Sequence, residues 1–172
     1  VEIDTTDTLT VSAVDTTGTQ GLVTGNGDGT FSYNPNGQFE GLDDGESDTD
    51  SFSYTVSDGE GGTDVAVVTI TVDGVNDAPV MAAQSFSAAE NQTAVGTVAA
   101  TDPDVETLTF SLDALAADNA FFSITAGGVL SFASAPDFET PQDGDGNNVY
   151  QVEVDVSDGT VTTTETMSVT VT

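Results

Sequence analysis

No side chain in this sequence carries a positive charge: its 172 residues hold 30 Asp and Glu and no Lys, Arg or His, for a formal net charge of -30. Salt bridges between side chains therefore cannot form, and the carboxylates repel one another with nothing covalent to neutralise them. A diffusible cation has to supply what the sequence omits. The same feature excludes whole classes of function. Nucleic acid and anionic lipid surfaces are met through Lys and Arg, so nucleic acid is not an expected partner and membrane insertion is not expected. Without His, Cys, Lys or Arg there is no Ser–His or Cys–His dyad, no Schiff base and no imidazole or thiolate zinc site. An enzyme would have to work with paired carboxylates, as a glycosidase does. Acids are so abundant that such a pair is expected by chance, and with no Trp and 3 Tyr there is little aromatic surface to line a sugar site. The chain is not expected to be an enzyme.

A chain this acidic invites a reading of disorder, and its apolar content argues otherwise. Leu, Ile, Val and Phe supply 41 of the 172 residues, more than the fifth or so at which disorder becomes the default. Thr, Val and Ile together supply 53, and β-branched side chains favour strands over helices. The expected fold class is all-β. There is no Cys to staple it, and no apolar run is long enough for a membrane span. No basic-then-apolar leader opens the sequence at Val1, as expected of a mature segment or an excised piece.

The sequence repeats itself once. Asp7-Thr8-Leu9-Thr10 returns as Glu106-Thr107-Leu108-Thr109, and Gly29-Thr30-Phe31-Ser32-Tyr33 returns as Gly128-Val129-Leu130-Ser131-Phe132. Phe39-Glu40 returns as Phe138-Glu139, and Val56-Ser57-Asp58-Gly59 as Val156-Ser157-Asp158-Gly159. The offset is about 100 residues throughout, which marks two copies of one module. The expected domains are 1–75 and 76–172. At that offset the counterpart of 78–98 would precede Val1, so the first module is expected to lack a leading strand. Within each copy the period is two: Phe52, Tyr54 and Val56 alternate with polar residues, as do Val152, Val154 and Val156. Such runs read as strands with one wet face, near 8–14, 29–33, 51–57 and 64–73 and again near 85–89, 95–100, 107–113, 128–133, 149–157 and 160–172. About seven short strands per copy, divided by Gly-rich turns, predict two tandem immunoglobulin-like β-sandwiches. The Ala-rich run from Leu112 to Asn119 is expected to be a brief turn rather than a helix.

The acids gather at strand ends and turns: Asn76-Asp77, Asp102-Pro103-Asp104, Asp137-Phe138-Glu139, Asp143-Gly144-Asp145-Gly146-Asn147 and Asp158. Alternating oxygen donors on a tight, Gly-relieved backbone suit a hard cation that takes six to eight oxygens, which points to Ca2+ and away from zinc. The Asp143, Asp145, Asn147 triplet has a counterpart 99 residues earlier in Asp44-Gly45-Glu46-Ser47-Asp48.

The series Asn76-Asp77-Ala78-Pro79, Ala89-Glu90-Asn91, Ala100-Thr101-Asp102-Pro103-Asp104, Ala135-Pro136-Asp137-Phe138-Glu139 and Val156-Ser157-Asp158-Gly159 resembles a bacterial cadherin-like repeat. Gly29-Thr30-Phe31-Ser32-Tyr33-Asn34-Pro35 and Asp50 to Gly59 of the first copy resemble the VCBS and related cadherin-like repeats of large bacterial surface proteins. The resemblance implies calcium between consecutive modules. Its ligands would be Glu40 from the preceding module, Asn76 and Asp77 from the linker, and Asp102, Asp104 and Asp158 from the following one. Glu90, Asp137 and Glu139 would serve the next joint. On this reading the chain is a calcium-binding structural or adhesive segment of a secreted bacterial cell-surface protein, extracellular, with neighbouring modules as partners. The alternative is a calcium-dependent carbohydrate- or peptide-binding module of an adhesin, with a surface polysaccharide or a protein as its ligand.

Overall fold

The computed structural model describes residues 8–172, gathered into two compact units, Val1–Val75 and Asn76–Thr172. The start of the repeated run at Asp7, and the leading strand expected ahead of Val1, lie outside the described residues. Apart from one 3-10 turn, the regular elements among the described residues are strands, as the β-branched composition requires.

Unit 1 contains β1 (Thr10–Asp15), β2 (Leu22–Gly25), β3 (Phe31–Asn34), β4 (Ser47–Ser57) and β5 (Thr63–Asp73). β4 and β5 pair antiparallel from Ser47 opposite Asp73 to Ser57 opposite Thr63, and β1 adds to the other edge of β4. β2 and β3 form a separate two-stranded hairpin. Its turn is Asn26-Gly27-Asp28-Gly29, where Gly27 and Gly29 hold φ at 83° and 89°, a left-handed backbone that glycine adopts without steric cost. The interior of this unit is thin. Phe52 is its one buried hydrophobic side chain among the described residues, and Phe31 meets that ring edge-on at 5.0 Å.

Unit 2 contains β6 (Ser85–Ala88), β7 (Ala94–Thr97), β8 (Thr109–Leu112), β9 (Phe122–Ile124), β10 (Val129–Phe132), β11 (Val149–Ser157) and β12 (Thr162–Val171). One sheet has the order β6-β12-β11-β8 and the other β7-β10-β9, the two-sheet arrangement expected of an immunoglobulin-like sandwich. The run from Leu112 forms no α-helix; β8 ends there, and a 3-10 turn follows at Asp118–Phe121. Asn119, buried in that turn, uses its amide as a substitute for a strand neighbour. Its Nδ2 donates to the carbonyls of Asp113 and Glu153, each at 2.7 Å, and its Oδ1 accepts from the Glu153 N–H at 2.9 Å.

The alternation seen in sequence becomes the core. Val152, Val154 and Val156 of β11 and Met167 and Val169 of β12 are fully enclosed, facing Leu130 and Phe132 of the opposite sheet. The Tyr150 ring stands edge-on to Phe122 and Phe132 at 5.6 and 5.3 Å, and its hydroxyl accepts from the Gln142 N–H at 3.1 Å. A change of shape at nearly constant volume should be tolerated in so complete a core. Met167→Leu is expected to cost less than about 1.5 kcal/mol, read as a small shift in the urea midpoint at unchanged slope.

The repeat is visible strand by strand: β1, β2, β3, β4 and β5 correspond to β8, β9, β10, β11 and β12. In unit 2 the stretch 78–98 holds two strands, β6 and β7. Among the described residues of unit 1 neither has a counterpart.

Candidate metal centre

Three backbone segments of unit 2 meet at one end of its sandwich: the entering stretch at Asn76 and Asp77, the loop 102–106, and the turn at Asp158 between β11 and β12. The loop is built by its own first acid. Asp102 Oδ1 accepts from the Asp104 N–H at 2.9 Å, and the Asp102 carbonyl accepts from the Val105 N–H at 3.3 Å. Val105 takes φ 63°, a left-handed backbone that is unusual for a β-branched residue and is tolerated where surrounding contacts over-determine it. The kink places Asp104 and Glu106 to either side of an exposed Val105. The Asp77 N–H donates to Asp104 Oδ2 at 2.6 Å, and Asn76 Nδ2 donates to Asp158 Oδ2 at 3.1 Å and to the Asp77 carbonyl. Asp158 Oδ1 accepts from the N–H groups of Thr160 and Val161, both at 2.6 Å. Burial alone would raise the Asp158 pKa, but the N–H groups of Val161 and Thr160 and the Asn76 amide outweigh it and hold the carboxyl below the usual range. This group therefore stays ionised in mild acid.

The clustering of the remaining oxygens is what sets this site apart. Asp102 Oδ2, Asp104 Oδ1 and Asn76 Oδ1 are enclosed and accept no hydrogen bond. Each of these side chains anchors the fold through one polar atom and leaves an oxygen bare. Ligand oxygens of Asp102, Glu106 and Asp158 lie within 4.8 Å of one another. An enclosed acceptor without a donor costs free energy, more when it is charged, and here the cost is multiplied by like charges at short range. A hard cation that takes oxygen ligands removes both costs together, so the donor set fits calcium.

A second group lies at the other end of the same sandwich. Glu90 follows β6, where its N–H donates to the Thr172 carbonyl at 2.9 Å, and the Asn91 N–H donates to the Pro136 carbonyl at 2.9 Å. That contact brings Glu90 beside Asp137 and Glu139, with carboxylate oxygens of the three within 4.8 Å of one another. A backbone hydrogen bond at Glu139 pulls its carboxyl down. The Glu90 charge, loss of solvent and Asp137 together outweigh this, and the pKa is raised. Asp137 and Glu139 are exposed, Glu90 half-buried.

The other carboxylates singled out by sequence are placed differently. Glu40 is exposed, in the turn after β3 of unit 1. Asp143 is buried, but Oδ2 accepts from the Asn147 N–H at 2.9 Å and Oδ1 from the Asn148 N–H at 3.3 Å. Asp145 accepts from the Asn147 amide at 2.7 Å, and Asn147 Oδ1 from the Val149 N–H at 2.7 Å. This loop uses its acids to order its own backbone. Sequence reasoning missed Glu106 as a candidate ligand. The signal was the continued spacing Asp102, Asp104, Glu106, obscured because Glu106 opens a run that reads as strand.

Unit 1 meets the same problem of a buried acid without a cation. Asp50 on β4 is 5% exposed and accepts from the N–H groups of Gln20 at 3.0 Å, Gly21 at 2.8 Å and Ser51 at 2.8 Å, and from the Tyr33 hydroxyl at 2.8 Å. Burial opposes its charge, yet these donors, led by Gly21, bring its pKa down to about 2. Burial, and after it the Asp50 carboxylate, push Tyr33 up to about 12. A Cβ on Gly21 would sit 2.5 Å from the Tyr33 ring, so glycine is required for this approach.

The sequence profile of the bacterial cadherin-like domain family matches residues 1–74, and that of the bacterial Ig domain family matches residues 76–172. Both describe repeat domains rather than enzymes. Among solved structures, human protocadherin-24 EC1-2 is similar at 20% identity and a TM-score of 0.59, over 99% of this chain and 84% of that one. Human mucin-like protocadherin EC1-2 is similar at 16% identity and a TM-score of 0.57, over 99% and 86%. The EC3-6 cis-dimer structure of protocadherin gammaB7 matches at 19% identity and a TM-score of 0.54, with this chain spanning 41% of its length. At these identities the likeness is one of fold. No curated protein matches the sequence.

Proposed function

The chain belongs to the bacterial cadherin-like and bacterial Ig domain families, and from that premise we propose that it is a calcium-binding structural repeat of a secreted bacterial cell-surface adhesin. The observation that carries the reading is the set of enclosed oxygens without donors on Asn76, Asp102 and Asp104, beside the carboxylates of Glu106 and Asp158. These five residues would hold the ion, with Asp77 ordering Asp104 through its N–H. Glu90, Asp137 and Glu139 would hold another at the far end of the unit, and Glu40 is the corresponding acid of unit 1. Calcium supplies the positive charge that the sequence omits, and an ion held by Asn76 would stiffen the segment through which the chain enters unit 2. Extracellular use is supported by the domain families and by the calcium requirement, since free calcium is plentiful outside cells. No helix among the described residues is long and apolar enough to cross a membrane.

Isothermal titration of the full chain with calcium tests this. Saturable calcium uptake is expected, and the Asp102→Asn/Asp104→Asn double variant, which keeps the backbone-anchoring acceptors, should lose at least one equivalent while melting no lower than the parent in chelator. Uptake of the same number of ions by both proteins would overturn the assignment.

A further inference from the structure

The sequence holds two Asn-Gly steps, Asn26-Gly27 and Asn36-Gly37, both in unit 1. In such a step the glycine nitrogen stands close to the preceding side-chain amide, with no Cβ of its own to shield it. Both asparagines are exposed, and nothing lies within 4 Å of the Cβ position of either glycine. What separates the two steps is how the side chains are bonded. Asn26 is tied through both ends of its amide: Nδ2 donates to Thr30 Oγ1 at 2.8 Å, and Oδ1 accepts from the Ser32 hydroxyl at 3.3 Å. At Asn36 the turn is held by other groups. Asn36 and Gly37 hold φ at 56° and 69°, and the Gln38 N–H donates to the Pro35 carbonyl at 3.2 Å, the pattern of a type I′ turn. The Asn36 N–H donates to Asn34 Oδ1 at 2.8 Å, and its carbonyl accepts from Gln38 Nε2 at 3.3 Å. Neither the Asn36 carboxamide nor the Gly37 N–H has a hydrogen-bond partner among the described residues.

We propose that Asn36 is a self-modification site, at which the free carboxamide is converted through a succinimide to an aspartyl or isoaspartyl linkage, with water as the co-reactant. The Gly37 nitrogen gives its proton to solvent base and bonds to Asn36 Cγ; the Cγ–Nδ2 bond breaks, and ammonia leaves as the ring closes. Water then opens the ring at either of its carbonyls. Nucleophile and electrophile belong to neighbouring residues, so the step needs no encounter between molecules. The fold selects between the two asparagines, because Asn26 has to give up both amide hydrogen bonds before its Cγ can reach the ring geometry. Either product adds a carboxylate to the 30 already present. The isoaspartyl product also lengthens the main chain by a methylene inside the turn that joins β3 to β4, and the paired left-handed φ values there leave no slack for it. This inference goes beyond calcium binding and does not depend on it.

The full chain, incubated in mildly alkaline buffer, is digested with an Asp-specific protease and read by mass spectrometry for the mass gain of amide to acid. Cleavage before Asp28 puts the two asparagines on separate peptides. Asn36 is expected to convert about tenfold faster than Asn26, and labelling by an isoaspartyl methyltransferase should appear on the Asn36 peptide. In strong urea the two rates should converge. The Thr30→Val/Ser32→Ala double variant, which frees the Asn26 amide, should speed conversion at Asn26 and leave Asn36 as it was. Asn36→Gln, whose longer side chain closes a less favourable ring, should stay unconverted over the same period. Equal rates in the folded chain, or a difference that persists undiminished in urea, would overturn selection by the fold. Conversion at Asn36 to aspartate alone, with no isoaspartyl signal, would overturn the succinimide route.

Discussion

Removing calcium is expected to lower the melting temperature of unit 2 by about 10 to 20 °C. An ion that binds only the folded state stabilises it by about 2.7 kcal/mol when its free concentration is 100 times its Kd, and about 1 kcal/mol moves the midpoint of a domain this small by roughly 4 to 8 °C. The bare oxygens of Asn76, Asp102 and Asp104 define where that energy originates, because in chelator they stay enclosed and unpaired. Differential scanning calorimetry with calcium, and then with chelator at matched ionic strength, separates specific binding from general screening of the 30 carboxylates. Sodium should recover only a small part of the shift. In the Asp102→Asn/Asp104→Asn variant the calcium-dependent shift should shrink while the melting point in chelator holds or rises. Coincident curves with and without calcium would refute the calcium reading.

Asp50→Ala is expected to abolish the cooperative melting of unit 1. Its carboxylate ties three pieces together: Gln20 and Gly21 ahead of β2, Tyr33 on β3, and its own strand β4. In a unit with Phe52 as its buried hydrophobic anchor, few other contacts hold the β2–β3 hairpin against the larger sheet. The pH dependence follows from the shifts. Asp50 is depressed to about 2, so its contribution is present above the ordinary carboxylate pKa of about 3.9 and is lost as pH falls through about 2. Tyr33 is raised to about 12, so its contribution is present below the ordinary phenol pKa of about 10 and is lost as pH rises through about 12. Tyr33→Phe should remove the alkaline loss, since no phenol remains to ionise there. Module-resolved hydrogen exchange across both windows, with tyrosine absorbance on the alkaline side, checks both signs. Unchanged exchange in unit 1 of the Asp50→Ala protein would remove this carboxylate from the account of its stability.

Long alternation was legible and short alternation was not. β4, β5, β11 and β12 each run nine residues or more, enough for the period of two to declare which side chains face inward. β2 has four residues, Leu22–Gly25, the last of them a glycine, too few to show any period. Asp50 lies on the same face of β4 as Phe52, yet sequence alone did not single it out. An acid facing inward reads as an interruption of the pattern unless its donors are known, and those come from Gln20, Gly21 and Tyr33, distant in sequence. The acids of 102–104 and 158 were legible as oxygen donors because their type and position at strand ends carry the chemistry. Spacing alone was less informative at Asp143, Asp145 and Asn147. Acid or amide at every second residue suits a cation, and it equally suits side chains that accept from backbone N–H groups a few residues on, as those of Asp143, Asp145 and Asn147 do.

The parallel pairing of β6 with β12 also fixes how unit 2 carries tension. Ser85 to Ala88 lie beside Ser168 to Val171, and the ladder is closed by Ser168 N–H to the Gln84 carbonyl, Thr172 N–H to the Ala88 carbonyl and Glu90 N–H to the Thr172 carbonyl, each at 2.9 Å. Pulling the unit by its entering and leaving ends draws these two strands past each other along their length. All the bonds of the ladder are then loaded at once, in shear, and none can open ahead of its neighbours. The Glu90 backbone sits at the last rung of that ladder, so an ion held by its side chain would pin that end and resist the sliding of the whole pair.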